Sequence, residues 1–414
     1  MIQRVKGTQD WLSVDLFNRF IQIVQDHLAL YQYHEIKTPI LEPTELFHRS
    51  LGVTTDVVSK EMFIIKSVHE NDAICLRPEA TASTVRAFIE HGISELPWQV
   101  FSYGSMFRYE RPQKGRFREF HQVSIENIGV ASVSNDVELI AMLDRLFHEK
   151  LKLENYALTI NYLGSYADRE RYREKLKKFL DSPAAAGICD TCLLRKDANI
   201  MRVFDCKNPV CQKIYEDAPY IVDHLSAESQ LEWQRLQEQL GMLSVSFTVD
   251  KRLVRGLDYY NKTVFEFVSE DLGAQKTFCG GGRYDGLVKL IDGKQDQPAV
   301  GAAIGIERVL LLLEQTQSVL VPEKKALTVI IPIAEEQKSV ALLLADELRA
   351  HNRCVQTLLD DASVKSMLRK ANKLGATYAV IIGEEEQQKH EVMLKHMING
   401  TEQRIKQHEL HLHV

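Results

Sequence analysis

Gly104-Ser-Met-Phe-Arg-Tyr-Glu-Arg-Pro-Gln-Lys-Gly-Arg-Phe-Arg-Glu-Phe-His-Gln-Val-Ser-Ile-Glu126 is the stretch from which the fold is read. Its pattern predicts strand, loop, strand. A period of two at the end of the first arm puts Arg108 and Glu110 on one face and the aromatic rings on the other. Pro112 and Gly115 break the ladder, and the second arm then sets Gln122, Ser124 and Glu126 on one face. Two polar faces are expected side by side. Arg108, Arg111, Lys114, Arg116 and Arg118 all fall between positions 108 and 118 of a chain whose net charge is -6. A local site for anions follows, since arginine binds phosphate or carboxylate through two parallel hydrogen bonds.

The surrounding 414 residues exceed one comfortable core, so two or three domains are expected. With 45% hydrophobic and 26% charged residues the composition is that of a soluble globular protein. The first residues lack the apolar core of a secretory signal and no run approaches a membrane span, so the expected location is the cytoplasm. Seven cysteines without a signal fit reduced thiols better than a disulfide framework.

Around the charged stretch the chain alternates helices and strands. Residues 14–31 space their apolar side chains as an amphipathic helix, and residues 34–42 alternate as a strand that contains Pro39. A strand at 73–76 leads into Arg77-Pro-Glu-Ala-Thr-Ala-Ser83 and a helix over 84–91. There Glu79 and Thr81 either cap that helix or accept the hydrogen bonds of an ammonium group. Helices over 135–150, 168–180 and 226–240 and strands at 156–162, 243–249 and 263–268 follow. Cys189-Asp-Thr-Cys192 with Cys206 and Cys211 is similar in its first half to a four-thiolate zinc site, and buried free thiols are the alternative. Arg255-Gly-Leu-Asp-Tyr-Tyr-Asn261 and Cys279-Gly-Gly-Gly-Arg-Tyr-Asp-Gly286 form a second informative pair, because consecutive glycines on a strand let a ligand approach closely. Gly301-Ala-Ala-Ile-Gly305 then reads as a strand running into an apolar helix that starts near Arg308. Past a linker at 322–325, a small α/β domain with a partly parallel sheet is expected, with strands at 327–333, 354–358, 378–382 and 391–396 and helices over 336–350 and 364–374.

Phe-Arg-Tyr-Glu, a basic loop and Arg-Glu-Phe-His-Gln together resemble motif 2 of the class II aminoacyl-tRNA synthetases, in the version found in histidyl-tRNA synthetases. The 14–42 segment looks like motif 1, which in the family builds the dimer interface. The 301–313 segment looks like motif 3, and the Arg255 and Gly280 stretches look like the two signature peptides of the histidine enzymes. The implied fold is an α/β (α+β) catalytic domain with a mixed, mostly antiparallel sheet flanked by helices. The implied division is 1–165 for the first part of that domain, 166–240 for a helical insertion, 241–320 for its second part and 321–414 for an anticodon-binding domain.

The resemblance implies ATP-dependent attachment of histidine to histidine tRNA through a histidyl-adenylate, a ligase reaction of protein biosynthesis, with Mg²⁺ on the outer phosphates and a homodimeric protein free of the membrane. It places Arg108 on the α-phosphate, Arg116 and Arg308 on the rest of the triphosphate, and Glu110 at the adenine end. Arg255 is the implied catalytic cation between carboxylate and α-phosphate. Glu79, Thr81 and Gln122 are implied for the α-amino group, Glu126 and Tyr260 for the imidazole, and Tyr259 for the pocket wall, with Arg108 and Arg255 completing the histidine-binding set. Arg111 and Gln113 are implied for the tRNA acceptor end. Two departures stand out: Ala80 and Ser124 occupy places where the family commonly has glycine. The alternative is the non-catalytic regulatory subunit of ATP phosphoribosyltransferase in histidine biosynthesis, which shares the catalytic fold and lacks the anticodon domain.

Overall fold

In the computed structural model, which describes residues 2–52, 55–66, 73–273, 275–292, 295–315 and 325–414, the two arms of the charged stretch do pair in antiparallel fashion. The strands are Trp98–Phe107 and Glu119–Ile128, with Gly104 opposite Gln122 and Val100 opposite Glu126. Arg108 and Glu110 lie beyond the first strand, which corrects the expectation that they extend its face. The Glu110 N–H turns back onto the Arg108 carbonyl at 2.7 Å, so the ladder gives way to a local turn before Pro112.

This pair belongs to an eight-stranded sheet. From one edge the strands are His34–Glu35, Trp98–Phe107, Glu119–Ile128, Ala299–Gly305, Thr277–Arg283, Asn261–Val268, Ala157–Tyr162 and Thr248–Val249. The two outermost pairings are parallel and the rest antiparallel, as expected for the mixed sheet. Val123, Ile125, Phe265, Phe267, Val300 and Ile304 point to one face, where the helices Asp15–Ala29, Val133–Arg145 and Ile306–Gln315 cover them through Phe20, Val24, Leu28, Ile140 and Val309. Each such side chain, fully buried, contributes about 1.5–3 kcal/mol. That face is the core. On the other, Ser124 pairs with Ala303 and Ala303 with Gly280, while Glu126 pairs with Gly301 and Gly301 with Gly282. Small side chains across the centre of this face leave a hollow floor.

The continuous strand expected at 34–42 is two short ones in different sheets, His34–Glu35 and Leu41–Pro43. Between them Thr38 is held by Arg77, whose guanidinium donates to its carbonyl at 3.1 Å and its hydroxyl at 2.9 Å, so a side chain takes the place of a ladder. The strand expected at 243–249 shrinks to Thr248–Val249, because Ser244 sits at φ 58 and cannot join a sheet. Helix Thr81–Glu90 starts earlier than expected.

Residues between the Ala157–Tyr162 and Thr248–Val249 strands are helical, opening with Tyr166–Leu180. Ser165 and Asp168 form a reciprocal capping box there, which satisfies backbone donors that the first turn leaves free. Residues 322–324 of the expected linker lie outside the described residues. The chain divides into two compact units, 1–321 and 322–414. The second carries a five-stranded sheet in the order Cys354–Thr357, Leu327–Pro332, Tyr378–Ile382, Glu391–His396, Glu402–Lys406. Its first three strands are parallel and the last two antiparallel. Glu402–Lys406, a strand that the sequence did not announce, closes one edge with only Ile405 buried.

Candidate active site

The hollow floor opens into a cavity of about 410 Å³. Glu79, Thr81, Arg108, Glu110, Arg116, Gln122, Arg255, Tyr259, Tyr260 and Arg308 all line it, drawn from segments far apart in the chain. Glu126 is completely buried one layer behind, and Arg111 and Gln113 are exposed on the loop outside the cavity.

One end of the cavity is cationic. Arg308, in the first turn of the helix Ile306–Gln315, donates to the carbonyls of Gly115, at 3.1 Å, and Thr277. Burial, together with the neighbouring Arg116 and Arg108 charges, pushes its pKa down to about 10. Arg108 donates to the Pro78 carbonyl at 2.9 Å and lies over the Phe120 ring, and burial lowers its pKa as well. Arg116 is ion-paired with Glu110 across the loop. Cations that depress one another are stabilised by an anion placed between them.

Arg255 stands apart from these three. Burial opposes its charge, but Glu266, with which it forms an ion pair, and the nearby Tyr260 outweigh that cost and raise its pKa. Its guanidinium lies against Gly280, where an added Cβ would come within 2.7 Å of Nη2 and 2.8 Å of Nη1. Any other residue there would push Arg255 aside. Arg255 Nε, Gln122 Oε1 and Ser124 Oγ are buried with no hydrogen-bond partner among the described residues. Buried polar groups are ordinarily paired, so these mark positions suited to a polar ligand.

The other end is a network of buried acids and hydroxyls. Both Glu79 oxygens accept from the helix below them, from the Thr81 N–H at 2.9 Å and the Ala82 N–H at 2.8 Å. Capping is thus what Glu79 does here, and it explains why the helix begins at Thr81. Ala80 has φ -104, a conformation open to any residue, so alanine fits where the family commonly has glycine. Thr81 donates to Glu126 at 2.6 Å, and Tyr284 donates to the other Glu126 oxygen. Burial pushes the Glu126 carboxyl up to about 8 against the pull of those two bonds. Gly301, its neighbour across the sheet, makes room for it: a Cβ there would collide with the Glu126 carboxylate. The rings of Tyr259 and Tyr260 pack at 4.6 Å, and Tyr259 meets Tyr284 edge-on at 5.6 Å.

A family model described as histidyl-tRNA synthetase matches residues 15–309, and one described as anticodon binding domain matches residues 328–412. The chain belongs to the histidyl-tRNA synthetase family. A histidine--tRNA ligase of Aquifex aeolicus is 41% identical over 413 residues, covering 99% of this chain and 100% of the relative. One from Clostridioides difficile is 40% identical over 411 residues, covering 97% and 96%. The apo histidyl-tRNA synthetase of S. aureus, a solved structure, superposes with a TM-score of 0.83 at 31% identity and covers 100% of this chain and 99% of that one.

Several groups at the cavity or directly behind it escaped the sequence reading, among them Tyr284, Glu266 and Glu307. Tyr284 lies inside the quoted glycine peptide, yet nothing local points its hydroxyl at Glu126, which is 158 positions away. Glu266 shares the period-two face of Val264, and that alternation was the signal that could have found it. Glu307 accepts from the His121 N–H at 2.9 Å and faces its Nδ1 at 2.8 Å, which ties the helix start to the Glu119–Ile128 strand. The four clustered cysteines lie outside the cavity lining.

Proposed function

We propose that the chain activates histidine with ATP and transfers it to histidine tRNA, and that the cavity is where both steps occur. The histidine carboxylate attacks the α-phosphorus, pyrophosphate leaves, and the adenylate is then attacked by a tRNA terminal hydroxyl. Two anions must meet, so catalysis rests on positioning and on fixed cations. Arg108 holds the α-phosphate, Arg116 and Arg308 the outer phosphates, and Glu110 the adenine end. Arg255 bridges the attacking carboxylate and the α-phosphate. The single observation that carries this reading is the convergence of these arginines on one cavity whose floor is cleared of side chains at Gly280.

Histidine is selected by polar groups that only an imidazole satisfies. Glu126 and Tyr260 serve its two nitrogens, Tyr259 lines the pocket, and Gln122, Thr81 and Glu79 receive the α-amino group. The unpaired Gln122 Oε1 supports that assignment. Ser124, whose buried hydroxyl has no partner among the described residues, offers the pocket one further hydrogen-bonding group. Glu266, a carboxylate lining the cavity, would suit Mg²⁺, which usually keeps several waters and binds through one or two carboxylates plus substrate phosphates. Such an ion would supply positive charge to offset that of the outer phosphates.

The exposed Arg111 and Gln113 fit contact with the acceptor end of tRNA. The chain is read as a catalytic domain at 1–165 and 241–320, an insertion at 166–240 and an anticodon-binding domain at 321–414; the family matches over 15–309 and 328–412 support the last boundary. A homodimer is supported by Ile40, Leu41, Ile64 and Ile65, apolar side chains left exposed around the small sheet that follows the first helix. The cytoplasm is the compartment where tRNA charging operates, and among the described residues no helix is long and apolar enough to cross a membrane.

The test is charging of total tRNA with labelled histidine and ATP. Histidine tRNA charged to a plateau is expected. Histidine binding without any charging would favour the regulatory role instead.

A further inference from the structure

The helical segment after Tyr162 gathers four cysteines that no catalytic step above uses. Cys189 precedes the helix Asp190–Ala198, Cys192 lies in its first turn, Cys206 follows the turn Ile200–Asp205, and Cys211 lies in the helix Pro209–Ile214. Their Sγ atoms all lie within 4.8 Å of one another, and no other group of three or more His, Cys, Asp or Glu side chains among the described residues is placed to hold a metal ion. Cys189 and Cys206 sulfurs stand 3.7 Å apart. Four thiolates around zinc at about 2.3 Å form a tetrahedron with edges of about 3.8 Å, so this separation is that of co-ligands. All four are free thiols, three of them buried. Backbone donors already aim at the sulfurs: the Cys189 N–H at Cys211 Sγ, 3.2 Å, and the Asn208 N–H at Cys206 Sγ, 3.4 Å. Such bonds orient and stabilise thiolate ligands.

We propose that Cys189, Cys192, Cys206 and Cys211 bind one zinc ion as a closed, structural four-thiolate site, and that this site holds the insertion against the catalytic pocket. An all-sulfur, roughly tetrahedral donor set selects zinc over the hard cations Mg²⁺ and Ca²⁺. Each thiol gives up its proton on coordination. With four protein ligands no position is left for a substrate, so the role is mechanical.

What the ion holds is visible in the segment between the two cysteine pairs. Asn199 donates to Asp258, a member of the Arg255–Asn261 signature loop. Arg202 lines the cavity and reaches Asp56 at 3.4 Å and Asp205 at 3.3 Å, while Arg195 donates to the Arg202 carbonyl at 3.0 Å. Pinning residues 192 and 206 to one ion fixes the loop that carries Asn199 and Arg202, and through Asp258 it steadies the loop that carries Arg255.

The experiment starts with the full-length wild type, purified without chelator from zinc-supplemented cells. Elemental analysis is expected to give about one zinc per chain, held through dialysis. Chain refolded with Co²⁺ is expected to show the thiolate-to-cobalt charge-transfer band and the intense visible bands of a tetrahedral tetrathiolate site. Cys189→Ser, the least buried of the four positions, loses the metal and melts lower, whereas Cys354→Ser, in the other unit, keeps it. In the metal-free protein histidine binds several-fold more weakly, measured by calorimetry, which needs no turnover. Wild type that carries no metal, carries iron instead, or shows two disulfides among these cysteines would overturn the site. Metal loss with unchanged melting and unchanged histidine affinity would overturn its mechanical role.

Discussion

The two ends of the cavity are built on opposite principles. At the cationic end Arg108, Arg116 and Arg308 crowd together, burial and mutual repulsion lower the pKa of Arg308, and the carboxylates of Glu61, Glu110 and Glu266 offset them only in part. At the acidic end Glu126 is matched by Thr81 and Tyr284, Glu79 by a helix N-terminus, and the packing is closed. The first end stores unfavourable electrostatics, which under the proposed function a triphosphate would relieve. The second spends its polar groups on one another until a substrate competes for them. Removing a group from the first should therefore reduce rate and leave stability, while disturbing the second should reduce stability as well.

The largest effect is expected for Arg308→Ala. Losing a cation aimed at the phosphates lowers kcat/KM for histidine activation about 10²- to 10³-fold. The melting temperature should change little, because relief from the repulsion of Arg116 and Arg108 and from burial of the charge offsets the lost bonds to the Gly115 and Thr277 carbonyls. A melting temperature that falls along with the rate would erase the contrast.

Two glycine substitutions sharpen it further. Gly301→Ala drives a methyl into the Glu126 carboxylate and toward the Ile125 carbonyl, and should destabilise the fold by about 1–3 kcal/mol in denaturant titrations. Gly280→Ala meets only the flexible end of Arg255, so stability should stay close to wild type while activation fails. Exchanged outcomes for the two variants would show that the ends had been assigned the wrong way round.

Smaller effects concern Glu126. Tyr284→Phe removes one of its two donors, should cost about 1 kcal/mol and should raise its pKa further, because that bond works to lower it. Its folded pKa of about 8 lies above the usual 4.5. The folded chain therefore holds a proton that the unfolded chain releases between those values, and this contribution to stability falls as pH rises from about 4.5 to about 8. Glu126→Gln, neutral throughout, should flatten the slope of stability against pH over that window. A slope unchanged in the glutamine variant would remove Glu126 as its source.

How much of this the sequence disclosed follows the same division. The cationic groups were legible because charge density and glycine runs are local signals: Arg108, Arg116, Arg255, Arg308 and Gly280 are all read within short peptides. The acidic end was legible only in part. Glu126 and Thr81 could be named, but their bond to one another spans 45 positions and the one to Tyr284 spans 158. The same distance hid Arg283, which is fully buried and ion-paired with Asp136 across 147 positions, although it stands in the middle of a quoted motif. The strand expected at 34–42 failed for a related reason. Its alternation is real, but Arg77 from another segment takes the hydrogen bonds of Thr38.

The most direct test is exchange of pyrophosphate into ATP, assayed with each amino acid in turn for wild type and for Arg255→Ala. The account predicts exchange with histidine alone, lost in the variant by about 10²-fold or more while the fold survives. Exchange that persists in Arg255→Ala, or wild type that binds histidine without any exchange, would contradict it.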